Sequence, residues 1–170
     1  MIQGLSYIIF MVEVGWMGII GSKEGLLRTT LPLRSEKDVY RRLENSLEGA
    51  KVSQSSFEDL IKRFRAYFSG EKVEFPDKLY ISSATDFQLE VWQATRSIPF
   101  GETRSYAWIA RQIGKPKAVR AVGQALGKNP LPIIVPCHRV LASNGGMGGF
   151  SGGIETKRFL LSLEGAFVSE

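Results

Sequence analysis

No uninterrupted apolar run in this chain exceeds six residues; the longest, Tyr7 to Val12, stops at Glu13. A membrane-spanning helix needs about 20 apolar residues. The chain must therefore bury short, half-apolar elements against one another. Its 170 residues are enough for one ordinary domain or two small ones with cores of their own. Hydrophobic residues at 44% and charged residues at 23% place it with globular rather than disordered sequences. One cysteine excludes an intrachain disulfide, and one histidine beside it argues against a zinc site of Cys and His ligands. The first residues lack the basic start and small-residue cleavage site of a signal peptide. The expectation is a cytoplasmic protein with no membrane segment, no metal and no cofactor.

The first third reads as strands. Leu5 to Val14, Trp16 to Gly21 and Gly25 to Leu33 are β-rich and separated by Gly-containing turns, which predicts an antiparallel meander. Glu36 to Leu47 predicts a helix with Val39, Leu43 and Leu47 on one face. Ser55 with Glu58 is a capping-box signature for a second helix, which buries Phe57, Leu60, Ile61, Phe64 and Phe68 and stops at Gly70. Glu71 to Lys78 is polar, contains Pro76 and reads as a linker. The fold class expected is α+β. Residues 1–78 form a small α/β unit, an antiparallel sheet with helices; residues 79–170 form a mainly helical unit.

In that second unit Thr85 and Gln88 make another capping box, opening a helix to about Ser97. Pro99–Phe100–Gly101 breaks it. Ser105 is the expected N-cap of a helix burying Tyr106, Ile109, Ala110 and Ile113. After Gly114–Lys115–Pro116 the next helix runs from Lys117 to about Gly127 and buries Val119, Val122, Gly123 and Leu126. Two short helices about a Gly/Pro turn are a helix-turn-helix pattern. The second presents Lys117, Arg120, Ala121, Gln124 and Lys128 outward, and its small residues let a backbone approach closely. Charge points the same way. Residues 1–80 hold 12 bases against 11 acids, whereas residues 101–130 hold six bases against Glu102 alone. Such a cluster suits a solvated surface or a polyanion partner such as DNA. The Gly-rich stretch Gly145 to Gly153 lacks both the GKS/T ending of a phosphate loop and the GxGxxG of a dinucleotide site.

The segment Ile133 to Val140 carries the chemistry, because Cys137 and His138 stand together and Arg139 follows them. A lone cysteine in an apolar run is usually a small buried hydrophobe. An imidazole and a guanidinium beside it can instead stabilise a thiolate, the reactive form. Adjacency alone leaves open whether the side chains meet or act through water and a distant carboxylate.

Pro136–Cys137–His138–Arg139–Val140 resembles the active-site signature of the O6-alkylguanine-DNA alkyltransferases, also called methylated-DNA–protein-cysteine methyltransferases. The resemblance extends through Thr85–Asp86–Phe87–Gln88, Val91–Trp92, Pro99–Phe100–Gly101 and Ser105–Tyr106. It continues in Pro116 to Gly123, Asn129–Pro130, Phe150 to Gly153 and Leu160 to Gly165, roughly half of the chain in order and spacing. Residues 1–80 resemble the family only in outline.

The resemblance implies DNA repair by irreversible, single-turnover transfer of an alkyl group from O6-alkylguanine, and less well O4-alkylthymine, to Cys137. It implies that His138 takes the thiol proton through water, that Glu164 orients His138, and that Tyr106 protonates the departing guanine. It implies that Asn129 ties the recognition helix to the active-site strand. A base stacked in a duplex must be flipped out, at a cost of a few kcal/mol, and Arg120 matches the family's intercalating arginine. Ser105, Tyr106, Lys117, Ala121, Gln124 and Lys128 join Arg120 as DNA contacts in the minor groove of double-stranded DNA. Tyr106, Val140, Phe150, Ser151 and Gly152 fall at substrate-binding positions. Many members have Tyr where this chain has Phe150, so the stacking face is kept and the hydroxyl lost. Some members hold a structural zinc in the N-terminal domain; this chain has no ligands for it. A sister group replaces the acceptor cysteine with tryptophan and only binds lesions. The resemblance thus implies a cofactor-free transferase acting as a monomer; the alternative is a lesion-binding or regulatory helix-turn-helix protein, and Cys137 is what separates the two.

Overall fold

The structure, a computed structural model, describes residues 3–166; Met1, Ile2 and residues 167–170, the outer ends of the two expected units, lie outside them. The fold is α+β, and the backbone divides into two compact units, Met1–Ser82 and Ser83–Glu170.

The first unit is built on β1 (Ser6–Val12), β2 (Gly15–Ser22) and β3 (Gly25–Thr29), which pair as the expected antiparallel meander. β2 lies inside the sheet and is buried from Met17 to Gly21, so it reads as a continuous apolar run. One face packs on α1 (Glu36–Leu43), with Ile20, Val39 and Leu43 at its centre. The other face meets α2 (Glu58–Phe68), where the Phe10 and Phe64 rings lie 6.1 Å apart. Gly18 lets α1 sit this close: a Cβ there would fall 2.4 Å from Leu43 Cδ1 and 2.7 Å from Val39 Cγ1.

The structure departs from the local expectations at four points. The helix expected to run to Leu47 ends at Leu43 and tightens into a 3-10 turn over Glu44–Ser46, a common way to close a helix end. Ser55 does not cap α2. A 3-10 turn, Ser55–Phe57, precedes that helix, and the hydroxyl that accepts a backbone N–H is Ser53, from Ser56 at 3.3 Å. A fourth strand, β4 (Lys51–Val52), pairs parallel to β1; two exposed residues give no periodicity to read. The polar segment before Leu79 lies packed on the first unit. Phe75 stacks 5.0 Å from Phe64, Asp77 takes both ends of the Arg63 fork at 2.7 and 2.8 Å, and Leu26 exchanges backbone hydrogen bonds with Lys78 and Tyr80.

In the second unit the Thr85–Gln88 capping box is complete and opens α3 (Asp86–Arg96). Trp92 on α3 donates its indole N–H to Ala125 O at 2.9 Å, fixing α3 against α5 (Val119–Gly127). Between them, α4 (Tyr106–Gln112) is capped by Ser105, whose hydroxyl accepts from Trp108 N at 3.0 Å. β5 (Arg104–Ser105) pairs parallel to β6 (Val140–Leu141), which brings the start of α4 beside the Cys137 segment. α6 (Ile154–Leu163) closes the unit.

Candidate active site

Cys137 sits on a tightly wound backbone rather than on a strand. Pro136 adopts φ −80 and ψ 64, and Cys137 N donates to Val135 O at 2.7 Å, which is an inverse γ-turn with proline at its centre. One 3-10 turn, Cys137–Arg139, follows. Ile133 has φ +75, a genuine outlier for a β-branched residue. Strain of that kind costs of order 1–3 kcal/mol and persists only where the surroundings over-determine it. Asn129 does the determining. Its amide oxygen accepts from Leu131 N at 2.8 Å, and its Nδ2 donates to Val135 O at 2.8 Å and to Cys137 Sγ at 3.2 Å. One side chain thus spans both ends of the turn and reaches the sulfur.

The thiol is almost buried, and burial pushes its pKa up. The Asn129 hydrogen bond, the charge of Lys157 and the N–H groups of Cys137 and His138 act against that rise.

His138 and Arg139 both turn to Glu164, at the C-cap of α6. His138 Nε2 lies 2.5 Å from Glu164 Oε2. Arg139 donates Nε to Oε1 at 2.8 Å and Nη2 to Oε2 at 3.1 Å, while Nη1 goes to Ile98 O at 2.8 Å. Burial would raise the Glu164 carboxyl, but the hydrogen bonds and charges of His138 and Arg139 outweigh it and hold it at about 2. Burial lowers His138, against the pull of Glu164. The pair is therefore a neutral imidazole on a carboxylate. Its ring proton sits on Nε2, and Nδ1 is the basic atom. Sequence adjacency suggested that the Arg139 guanidinium could stabilise the thiolate; instead Glu164 consumes it.

The cation that does act on the thiol is Lys157, which sequence reasoning missed. It is wholly buried on α6. A signal was present: Lys157, Leu160, Leu161 and Glu164 recur at i, i+3, i+4, i+7, the spacing of a buried helix face, and all four are buried.

Above the sulfur is a cavity of about 380 Å³, within the roughly 300–1,000 Å³ of small-ligand sites. Tyr106, Val119, Gly123, Phe150 and Ser151 are on its walls with Cys137. Val119 and Gly123, expected in the core, thus face this space, as does Tyr106. The Tyr106 hydroxyl donates to Gly149 O at 3.2 Å, and burial, followed by the Cys137 charge, raises its pKa. Gly148 presses on that ring: at φ +66 its Cβ would fall 2.8 Å from the Tyr106 hydroxyl. The remaining candidates are dispersed. Gly152 is exposed and Val140 is buried with its carbonyl on Lys157. Ser105 serves as the α4 cap. Lys117, Arg120, Gln124 and Lys128 are exposed on or beside α5, and Ala121 is half-buried. Among the described residues no three His, Cys, Asp or Glu side chains cluster as a metal site, and no helix is long and apolar enough to cross a membrane.

Residues 86–166 match the family described as 6-O-methylguanine DNA methyltransferase, DNA binding domain. A methylated-DNA–protein-cysteine methyltransferase of Methanosarcina acetivorans is 40% identical over 162 residues, covering 95% of this chain and 99% of the relative. One of Mycobacterium tuberculosis is 48% identical over 128 residues, 73% of this chain and 77% of the relative. The crystal structure of Mycobacterium tuberculosis OGT in complex with DNA superposes with a TM-score of 0.79 at 40% identity, covering 94% of this chain and 92% of that one. The O6-methylguanine-DNA methyltransferase of Pyrococcus kodakaraensis gives 0.71 at 28% identity, over 95% and 99%.

Proposed function

The chain belongs to the methylated-DNA–protein-cysteine methyltransferase family, and from that membership we propose how its residues divide the work of direct DNA repair. The protein transfers the alkyl group of O6-alkylguanine in double-stranded DNA to its own cysteine. The observation that carries the assignment to Cys137 is the floor of the 380 Å³ cavity, where the chain's one thiol meets Asn129 and lies next to the His138–Glu164 pair.

Cys137 gives its proton, through a bridging water, to His138 Nδ1, while Glu164 holds Nε2–H. Sulfur then attacks the alkyl carbon. The S–C bond forms as the C–O6 bond breaks, and the electron pair of the broken bond passes into the purine. Tyr106, kept a phenol by its raised pKa, donates a proton to the purine ring and recovers one from His138. The proton lost by sulfur thus ends on guanine. Preorganised donors aimed at the departing charge are the usual source of such rate enhancement. A thioether has no ready leaving group, so each molecule acts once. Phe150 offers an aromatic face to the extruded base.

The second unit carries DNA binding and alkyl acceptance, and the first is a structural companion. We place the protein in the cytoplasm, where thiols stay reduced, and read it as a monomer.

Incubation with a duplex containing O6-methylguanine should add one methyl to the intact mass, on the peptide holding Cys137, and leave guanine in the DNA. A retarded band with no mass gain would move the reading to a lesion-binding protein. Arg120 lies exposed on α5 and is assigned to fill the gap left by the flipped base. Arg120→Ala should slow repair of duplex about tenfold, the equivalent of 1.4 kcal/mol, and leave reaction with free O6-benzylguanine nearly unchanged. Equal losses on both substrates would remove the flipping role.

A further inference from the structure

In the first unit Arg34, Arg41, Arg42 and Asp38 line a cavity of about 680 Å³, with Val14 and Leu33 as an apolar wall. All three arginines are exposed. Arg41 and Arg42 lie in the last turn of α1, where a cation suits the helix dipole. Arg34 has no such reason to be there. It precedes Ser35, the N-cap, at the positive end of the same helix. Arg28 on β3 adds a fourth guanidinium. It is half-buried, and its Nη1 donates to a neutral partner, the Ser46 hydroxyl, at 3.0 Å. Ser46 follows Arg42 by about one helical turn, so Arg28 approaches the same end of α1. Burial, and then the charge of Arg42, lower the Arg28 pKa. Among the described residues no ion pair joins any of these four guanidinium groups to a carboxylate. Four cations gather around Asp38, and two of them, Arg28 and Arg34, stand against their local electrostatics. Such a cluster calls for an anion from outside the chain.

We propose that this cavity is a second DNA-binding site, carried on the first unit and taking the phosphodiester backbone of the duplex. The length of α1 favours a chain of phosphates over a single anion. Its eight residues span about 12 Å. Cations at its two ends are too far apart for one phosphate and match successive groups of a polyanion. Each guanidinium can fork two phosphate oxygens. Val14, 46% exposed, and Leu33 offer apolar surface to the sugars between them. Residues 1–80 hold 12 bases against 11 acids, so the positive charge is local to this cavity rather than spread over the unit. Backbone contacts carry no sequence information, which suits a protein that must hold any sequence containing a lesion. The proposal rests on DNA being the partner and not on Cys137 being the acceptor. The first unit then takes part in binding beside its structural role.

The salt dependence of binding tests this. Affinity of the full chain for an unmodified duplex is measured by fluorescence anisotropy from about 50 to 200 mM salt. Each phosphate contact contributes about 0.9 to the slope of log affinity against log salt. Arg34→Gln combined with Arg42→Gln should make that slope shallower by about 1.8. Reaction with free O6-benzylguanine should keep the wild-type rate. An unchanged slope overturns the proposal; loss of binding to phosphatidylglycerol vesicles in the same variant would then give the cavity to an anionic lipid surface. An equal loss in the free-base reaction also overturns it, because the fold rather than a phosphate contact has changed. If the double variant does not fold, arginines of the wild type are modified with phenylglyoxal, with and without duplex, and mapped by peptide mass. Duplex should protect Arg34 and Arg42, and equal modification overturns the proposal. A wild-type protein that binds no duplex at any salt would instead count against the DNA reading itself.

Discussion

Cys137→Ala is expected to abolish methyl transfer while leaving affinity for duplex DNA within about twofold of wild type. The chain has one cysteine, so no second thiol can substitute. The backbone that presents residue 137 does not depend on sulfur. The inverse γ-turn bond from residue 137 to Val135 is main-chain, and Asn129 keeps its bonds to Val135 O and Leu131 N. Removing the sulfur leaves a small void and costs roughly 1 kcal/mol, in the ordinary range for point changes. The exposed residues of α5, which are assigned to DNA, are untouched. Intact mass after incubation with O6-methylguanine duplex, together with a gel-shift titration, reads both halves. Residual transfer at a measurable rate would mean that another atom accepts the alkyl group. Loss of binding along with transfer would mean that the sulfur holds the DNA-facing surface in place, which the bonding around Asn129 argues against.

Much of this site was legible because its signals are local. Thr85 with Gln88, Ser105 before Tyr106, and Gly114–Lys115–Pro116 set helix ends through bonds within a few residues, and the structure reproduces each of them. Ser55 misled because the same four-residue spacing is satisfied in sequence while a 3-10 turn shifts the geometry by part of a turn. What the residues could not show is direction. Cys137, His138 and Arg139 are consecutive, and one 3-10 turn separates successive side chains by about 120°. That rotation sends the imidazole and guanidinium to Glu164 and leaves the thiol facing the cavity. Lys157 was hidden for the opposite reason. Lysine is rarely buried, so its place among Leu160, Leu161 and Glu164 on one helix face carries more weight than its residue type. Val119 and Gly123 follow the helical period of a core face, and only the position of Tyr106 reveals that part of that face lines a cavity.

Glu164→Gln should be the most damaging isosteric change in the second unit. The carboxylate accepts from His138, from Arg139 twice and from Gly101 N at 3.2 Å, and its side chain is wholly buried. The amide keeps the shape and loses the charge, so the Arg139 guanidinium is left buried without its counter-ion. Breaking one partner of such a pair costs about 3–5 kcal/mol, equivalent to a fall in Tm of roughly 10 °C for a chain of this length. Transfer should fall by about 10²–10⁴, the usual worth of a positioned general base, because the His138 tautomer is no longer fixed. The pH dependence identifies the cause. Glu164 titrates at about 2 when folded against an ordinary 4.5, so the unfolded chain binds that proton more readily. The stabilisation is complete above about pH 4.5 and drains away as pH falls toward 2. His138, lowered from 6.5 by burial, adds a loss of the same sign below that value. Urea unfolding of the wild type should show a slope between pH 4.5 and 2 that Glu164→Gln lacks. A variant with wild-type stability at pH 7 and the same acid slope would show that the carboxylate is a bystander, and would leave His138 without the partner that sets its proton.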